Sequence, residues 1–144
     1  MTGKKKVLFV CTHNSARSQM AEGLLRYFYG NYYDVYSAGT LPTGVNEYAK
    51  IVMEEIGIDI SFHRSKNVDD FKDESFDFVV TVCDSAKENC PYFSGGKNYI
   101  HKSFIDPSDV KGNNEDIREA FRKVRDEIKG WIEEQFCPTK GFPA

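Results

Sequence analysis

Apolar positions along the chain follow two spacings, one of strands and one of helices. Val7 to Val10 is a continuous apolar run rich in β-branched residues and ends at a polar loop, as expected of a strand buried on both faces. From Ser18 the spacing becomes helical, with Met20, Leu24, Leu25 and Phe28 along one face and Gly30 as the stop. Asp34 to Ala38 is a second short strand closed by Gly39. A helix from about Asn46 follows, turning Ala49, Val52, Met53 and Ile56 inward before Gly57 ends it. Phe76 to Val82 is the strongest strand signal, and Tyr99 to Phe104 a weaker one. The last helix carries Ile117, Phe121, Val124, Ile128 and Trp131 at steps of four and three, with Asn113 or Asn114 to cap its start.

Strands separated by helices pair in parallel, so the pattern predicts an α/β fold of three layers, a small four-stranded parallel sheet with helices on both faces. A length of 144 residues suits one domain, spanning 1–144, and there are no internal repeats or low-complexity stretches. Ligands of such folds sit at the carboxyl ends of the strands, where the strand order reverses. Cys11 directly follows the first strand and Cys83 directly follows the Phe76 to Val82 strand. One sheet edge is therefore expected to present both thiols.

Charge narrows the choice of partners. The balance of 19 Lys+Arg against 22 Asp+Glu is a net −3, which gives no general electrostatic basis for binding nucleic acid or acidic lipid, so an anionic ligand has to be held locally. Val7 to Val10 is too short for a membrane span or the core of a signal peptide, despite Lys4, Lys5 and Lys6 before it. A cytoplasmic location is expected. Four cysteines in a reducing compartment point to reactive thiols or metal ligands rather than a disulfide framework.

The chemistry centres on Cys11-Thr12-His13-Asn14-Ser15-Ala16-Arg17-Ser18, a Cys-x5-Arg-Ser loop between a strand and a helix. Successive backbone N–H groups from Thr12 to Arg17 can converge on one tetrahedral anion, and the following helix adds its positive end. Arg17 can clamp two oxygens at once through its planar fork. Ser18 Oγ can hydrogen-bond Cys11, which the same electropositive surroundings make the expected nucleophile. Asp106-Pro107 alone reads as a turn. Following the weaker strand, however, its carboxyl can hang over the loop as a general acid, with Asp109 as the local competitor. Cys83 and Cys90 are either two small core residues or reactive thiols, while a four-ligand zinc site lacks the further His or Cys cluster it needs. Cys137 has no motif partner. His63 and His101 read as surface or hydrogen-bonded residues, whereas His13 sits inside the loop and can tune it.

The segment from Cys11 to Gly23, CTHNSARSQMAEG, resembles the phosphate loop and first helix of the low-molecular-weight protein tyrosine phosphatase fold and, within it, of the thioredoxin-coupled arsenate reductases. Ser37-Ala38-Gly39 and Gly57-Ile58-Asp59-Ile60-Ser61 look like later landmarks, and Val82 to Pro91, VCDSAKENCP, resembles the redox segment, so nearly the whole chain is covered. The resemblance implies that Cys11 attacks arsenate while Asp106 protonates the departing hydroxyl. It further implies that Cys83 then attacks Cys11 to release arsenite, that Cys90 resolves the Cys11–Cys83 bridge into Cys83–Cys90, and that thioredoxin reduces that last bridge. Phosphate or sulfate would compete with arsenate for the loop, no cofactor is implied, and a monomer is expected. Two positions depart from the pattern. His13 stands where a glycine is usual, and Lys66 falls where many members carry an acidic ligand for a monovalent cation. Asn14, Glu22 and Ser37 match the other cation contacts, and Lys66 can supply the positive charge itself.

Two further readings remain open. One is a phosphatase that uses the same Cys11, Arg17 and Asp106 and has no use for two more thiols. The other is a non-catalytic phosphocysteine carrier or redox-sensing anion binder, which needs neither a strong acid nor an arginine clamp. Spacing adds a condition to the cascade. If Cys83 and Cys90 share one helical segment, seven residues separate them by about 10 Å along the axis. A disulfide tolerates roughly 7 Å between Cα atoms, so that segment has to open before they can bridge.

Overall fold

A computed structural model describes residues 3–84, 90 and 92–138. The chain runs β1 (Lys5–Cys11), α1 (Arg17–Tyr29), β2 (Tyr33–Gly39), α2 (Glu47–Glu54), β3 (Phe76–Thr81), β4 (Gly96–His101) and α3 (Asn114–Phe136), with single-turn 3-10 helices at Val68–Phe71 and Pro107–Asp109. The four strands are ordered β2-β1-β3-β4 and every neighbouring pair is parallel. From β1 the chain passes to β2 on one side and then to β3 on the other. The order therefore reverses at β1, and Cys11 ends that strand at the switch point where such sheets bind ligands.

Alternation along β1 sorts the core into two unequal layers. Val7, Phe9 and Cys11 face Met20 and Leu24 of α1, Met53 of α2, and Phe121, Val124 and Ile128 of α3. Leu8 and Val10 face the smaller cluster of Phe71, Phe76, Val79 and Phe93, so among the described residues the 3-10 helix at Val68–Phe71 supplies the helical cover on that side. Asn113 decides where α3 begins. Its side chain accepts from the Asp116 N–H while the Asp116 carboxylate accepts from the Asn113 N–H, a reciprocal capping box that satisfies two donors at the helix start.

The fourth strand lies three residues earlier than its apolar pattern indicates. Parallel pairing with β3 sets Phe76 opposite Gly96 and Val80 opposite Ile100, so the register is imposed by the neighbour. Phe104, which draws the sequence reading onward, is buried in the loop after the strand. α2 also closes early, at Glu54 rather than near Ile56. Gly57 adopts the left-handed φ of 82° and lets the Ile58 N–H return to the Met53 carbonyl at 3.0 Å.

The end of α2 is clamped to α3 by charge. Buried Arg125 donates to the Val52 carbonyl (2.8 Å) and to Glu55 Oε1 (3.0 Å), and Arg122 holds Glu55 through Nε and Nη2. Hydrogen bonds from Arg122 chiefly hold the Glu55 carboxyl below its ordinary value of 4.5. A depressed carboxylate stabilises the fold above that ordinary value and loses the contribution as pH falls through and below it. Urea unfolding of the wild-type protein and of Glu55→Gln should therefore differ at neutral pH and converge in acid below the ordinary glutamate range.

Candidate active site

Residues 12–16 join β1 to α1 in a loop whose shape is fixed by Asn14. Its φ of 50° lies in the left-handed region that asparagine tolerates better than most residues. Its buried side chain bonds at both ends. Oδ1 accepts from Gln19 Nε2 and from the Lys66 backbone N–H, both at 2.9 Å, while Nδ2 donates to Ser18 Oγ (2.8 Å) and Ser37 Oγ (2.9 Å). Ser18 Oγ stands 2.9 Å from Cys11 Sγ. On the outer side the Leu41, Thr43 and Asn46 N–H groups donate to the carbonyls of Thr12, His13 and Ser15, and His13 Nδ1–H donates to the Leu41 carbonyl at 3.1 Å.

Within this frame lies a cavity of about 250 Å³, lined by Cys11, His13, Ser15, Ala16, Arg17, Thr43, Asn46, Asp106 and Ser108. α1 starts here, and its N-cap is Ala16, which carries no side-chain acceptor. The cap residue therefore does not compete with an anion for the first-turn N–H groups. Arg17 is 3% exposed; it donates to the Phe104 carbonyl at 3.1 Å and its Nη2 lies 3.4 Å from Asp106 Oδ2. The other Asp106 oxygen accepts from the Ser108 N–H (3.0 Å) and Oγ (2.7 Å), which caps the turn begun by Pro107. Asp106 is therefore a turn residue and a carboxyl over the loop at once, while Asp109 is not among the lining residues. A thiol, an arginine fork and a carboxyl converge on a space suited to a small tetrahedral oxyanion.

Of the loop residues singled out by sequence, His13, Ser15, Ala16 and Arg17 line the cavity. Thr12, Asn14 and Ser18 hold its shape from behind. Thr43 and Asn46 complete the lining by tertiary contact, without any signal in the local sequence, and Ser108 enters it through the turn that Asp106 caps. Arg17→Lys should weaken phosphate protection of Cys11 against iodoacetamide by about tenfold, because a point charge cannot replace the two-oxygen fork. Unchanged protection would show that Arg17 does not grip the anion.

The low molecular weight phosphotyrosine protein phosphatase family model matches residues 6–137. The chain belongs to that family. Among its relatives is an arsenate reductase of Halalkalibacterium halodurans, 46% identical over 125 residues that cover 87% of this chain and 90% of the relative. A solved arsenate reductase in an oxidized state superposes with a TM-score of 0.76 at 33% identity, covering 90% of this chain and 95% of that one. A thioredoxin-dependent arsenate reductase of Corynebacterium glutamicum superposes with a TM-score of 0.65 at 28% identity, covering 91% of this chain and 61% of that one.

This member of the phosphatase family carries a disulfide at the active edge. The Val82 N–H donates to the Val10 carbonyl at 3.1 Å, which brings Cys83 one residue beyond the last contact with β1, to the edge that holds Cys11. Cys83 is bonded to Cys90, while Cys11 and Cys137 take no part in a disulfide. The bonded pair has Cα atoms 5.9 Å apart, well short of the ~10 Å that an intact helix would impose. The helical segment considered from the spacing otherwise falls on residues 85–89 and 91, outside the described residues.

The cation contacts implied by the family resemblance do not fit a bound monovalent cation here. Ser37 gives its proton to Glu22 Oε1, Arg26 holds Glu22 Oε2 at 2.6 Å, and Lys66 Nζ lies 3.7 Å from Oε1. Asn14 Oδ1 is already engaged by two donors. A single carboxylate beside two cations of the chain leaves no negative charge for a third. Burial, offset by Glu22, holds the Lys66 ammonium below its ordinary value. Behind the loop also stands His63, half-buried and bonded to Gln19 and Arg26, so it belongs to the support of the site rather than to the surface.

Proposed function

We propose that the protein reduces arsenate to arsenite through Cys11, Cys83 and Cys90, with electrons supplied by thioredoxin. The observation that carries the reading is the Cys83–Cys90 bond at the same sheet edge as a free Cys11 beside Arg17 and Asp106. A phosphatase needs the second set of residues and not the first. Cys11 Sγ attacks arsenic, and an As–O bond breaks as Asp106 protonates the departing hydroxyl to water. Arg17 and the loop N–H groups neutralise the oxygens of the adduct. Cys83 Sγ then attacks Cys11 Sγ; the S–As bond breaks with its electron pair going to arsenic, which leaves as arsenite, and a Cys11–Cys83 disulfide remains. Cys90 attacks Cys83 and returns Cys11 as a thiolate. Two thiols have been oxidised and one arsenate reduced by two electrons, and a partner dithiol then exchanges with Cys83–Cys90. The bonded pair beside a free Cys11 corresponds to this last state. Such a cycle belongs in the reducing cytoplasm.

The test is arsenate-dependent thiol oxidation with and without thioredoxin and its reductase. Turnover should require thioredoxin, and Cys83→Ser should abolish arsenite release while keeping slow hydrolysis of an aryl phosphate, since Cys11, Arg17 and Asp106 remain. Sustained arsenite release by Cys83→Ser would refute the cascade. Loss of both activities would place Cys83 in the anion loop itself.

A further inference from the structure

Hydrogen bonds of one polarity run from the protein surface to Cys11 Sγ. Arg26 Nη1 lies 3.2 Å from His63 Nε2, His63 Nδ1 lies 2.9 Å from Gln19 Oε1, Gln19 Nε2 lies 2.9 Å from Asn14 Oδ1, Asn14 Nδ2 lies 2.8 Å from Ser18 Oγ, and Ser18 Oγ lies 2.9 Å from Cys11 Sγ. Independent contacts fix the direction of each link. A guanidinium only donates, so His63 Nε2 accepts and Nδ1 carries the proton. Gln19 Nε2 also donates to the carbonyls of Arg64 (2.9 Å) and Asn14 (3.2 Å), so its Oε1 is the end that accepts from His63. Asn14 Oδ1 accepts from the Lys66 N–H, so its Nδ2 is the end that donates to Ser18. Ser37 cannot reverse this, because its own proton goes to Glu22. Ser18 already accepts from Asn14, and its single proton is left for sulfur.

We infer that Arg26, His63 and Gln19 are positioning residues that polarise this chain of donors toward the Cys11 thiolate and so raise its reactivity. The inference rests on Cys11 as the nucleophile. Asn14, Ser18 and Gln19 are fully buried, so water cannot take over a broken link among these three, while the Arg26–His63 bond lies at the exposed end of the chain. Hydrogen bonds in a chain strengthen one another by about 10–30% each, and those ending on an ionised acceptor are the strongest. The chain begins at a cation that is itself held in place, since Arg26 Nη2 bonds Glu22 at 2.6 Å and the Val35 carbonyl. The charged groups around His63 are Arg26 and Glu22 of α1 together with Lys66 and Asp59. Burial is the main cause that holds the imidazole below its ordinary value, the direction that favours accepting a bond from Arg26.

The experiment follows iodoacetamide labelling of Cys11 by mass spectrometry in the protein with Cys83 and Cys90 bridged, from about pH 5 to pH 9, with Cys137 as the internal reference. His63→Leu cuts the chain and should slow Cys11 labelling about threefold at pH 6 and move its pH profile upward. His63→Gln can still accept from Arg26 and donate to Gln19, and should keep the wild-type profile. Arg26→Met, on a partly exposed side chain, provides a second cut should His63→Leu fail to fold, with a smaller slowing expected. Wild-type profiles in both His63→Leu and Arg26→Met would overturn the inference while leaving Cys11 as the nucleophile. Wild-type Cys11 that labels no faster than Cys137 would overturn the nucleophile and the inference together.

Discussion

Cys90→Ser should release one arsenite per protein molecule and then stop, with thioredoxin present or absent. The first two steps need only Cys11 and Cys83, so arsenate is taken up and reduced as in the wild type. The Cys11–Cys83 disulfide then has no internal thiol to open it. Cys83 is fully buried and Cys11 is 2% exposed at the base of the anion cavity, so the trapped bond is shielded from a protein reductant, whereas Cys90 is partly exposed in the bridged state. Resolution by Cys90 thus transfers the oxidising equivalent from a buried sulfur to an accessible one. The readouts are arsenite counted per molecule and peptide mapping of the trapped bond. Continued turnover with thioredoxin would mean that the Cys11–Cys83 bridge is reduced directly, and the third thiol would then have no role in the cycle.

Much of this site was legible in the chain because its parts are local. The Val7 to Val10 run, the Cys-x5-Arg-Ser loop and the helical spacing from Ser18 lie within a few residues of one another, and local spacing alone sets a strand, an anion loop and a helix end in series. Asp106 was legible for a similar reason, since a turn at Asp-Pro after a strand must fall at the sheet edge. What escaped depends on contacts distant in sequence. β4 is an edge strand with little apolar patterning, so its limits come from β3. Thr43 and Asn46 reach the cavity through backbone bonds to His13 and Ser15, and neither residue type announces that. His63 read as a surface or hydrogen-bonded histidine without named partners, because those partners, Gln19 and Arg26, lie 44 and 37 residues away. Lys66 lies at the margin, since its placement beside Glu22 followed from resemblance rather than from any local rule.

Gly39→Ala should abolish anion binding while leaving the sheet folded. Gly39 is the last residue of β2, paired with Cys11 in the register with β1, and its N–H donates to the Lys66 carbonyl at 2.8 Å. A methyl group here would stand 2.5 to 2.9 Å from two carbonyl oxygens and an amide nitrogen of residues 11, 12 and 14. All three are backbone atoms, so no side chain can swing aside. The strand is held along its length by β1, and the loop by fewer bonds, so the loop has to shift. A displacement of about 1 Å in an array of N–H donors costs on the order of 100-fold in a reaction that depends on their alignment. Phosphate should then no longer protect Cys11 from alkylation, and arsenate turnover should fall by at least that factor, with unfolding still cooperative at a lowered midpoint. Gly130→Ala is the control, because a Cβ on that face of α3 meets nothing within 4 Å and alanine is the better helix former by about 1 kcal/mol. If Gly39→Ala keeps wild-type phosphate protection, the close approach of β2 is not what shapes the loop, and the bonds of Asn14 together with those from Leu41, Thr43 and Asn46 must hold it.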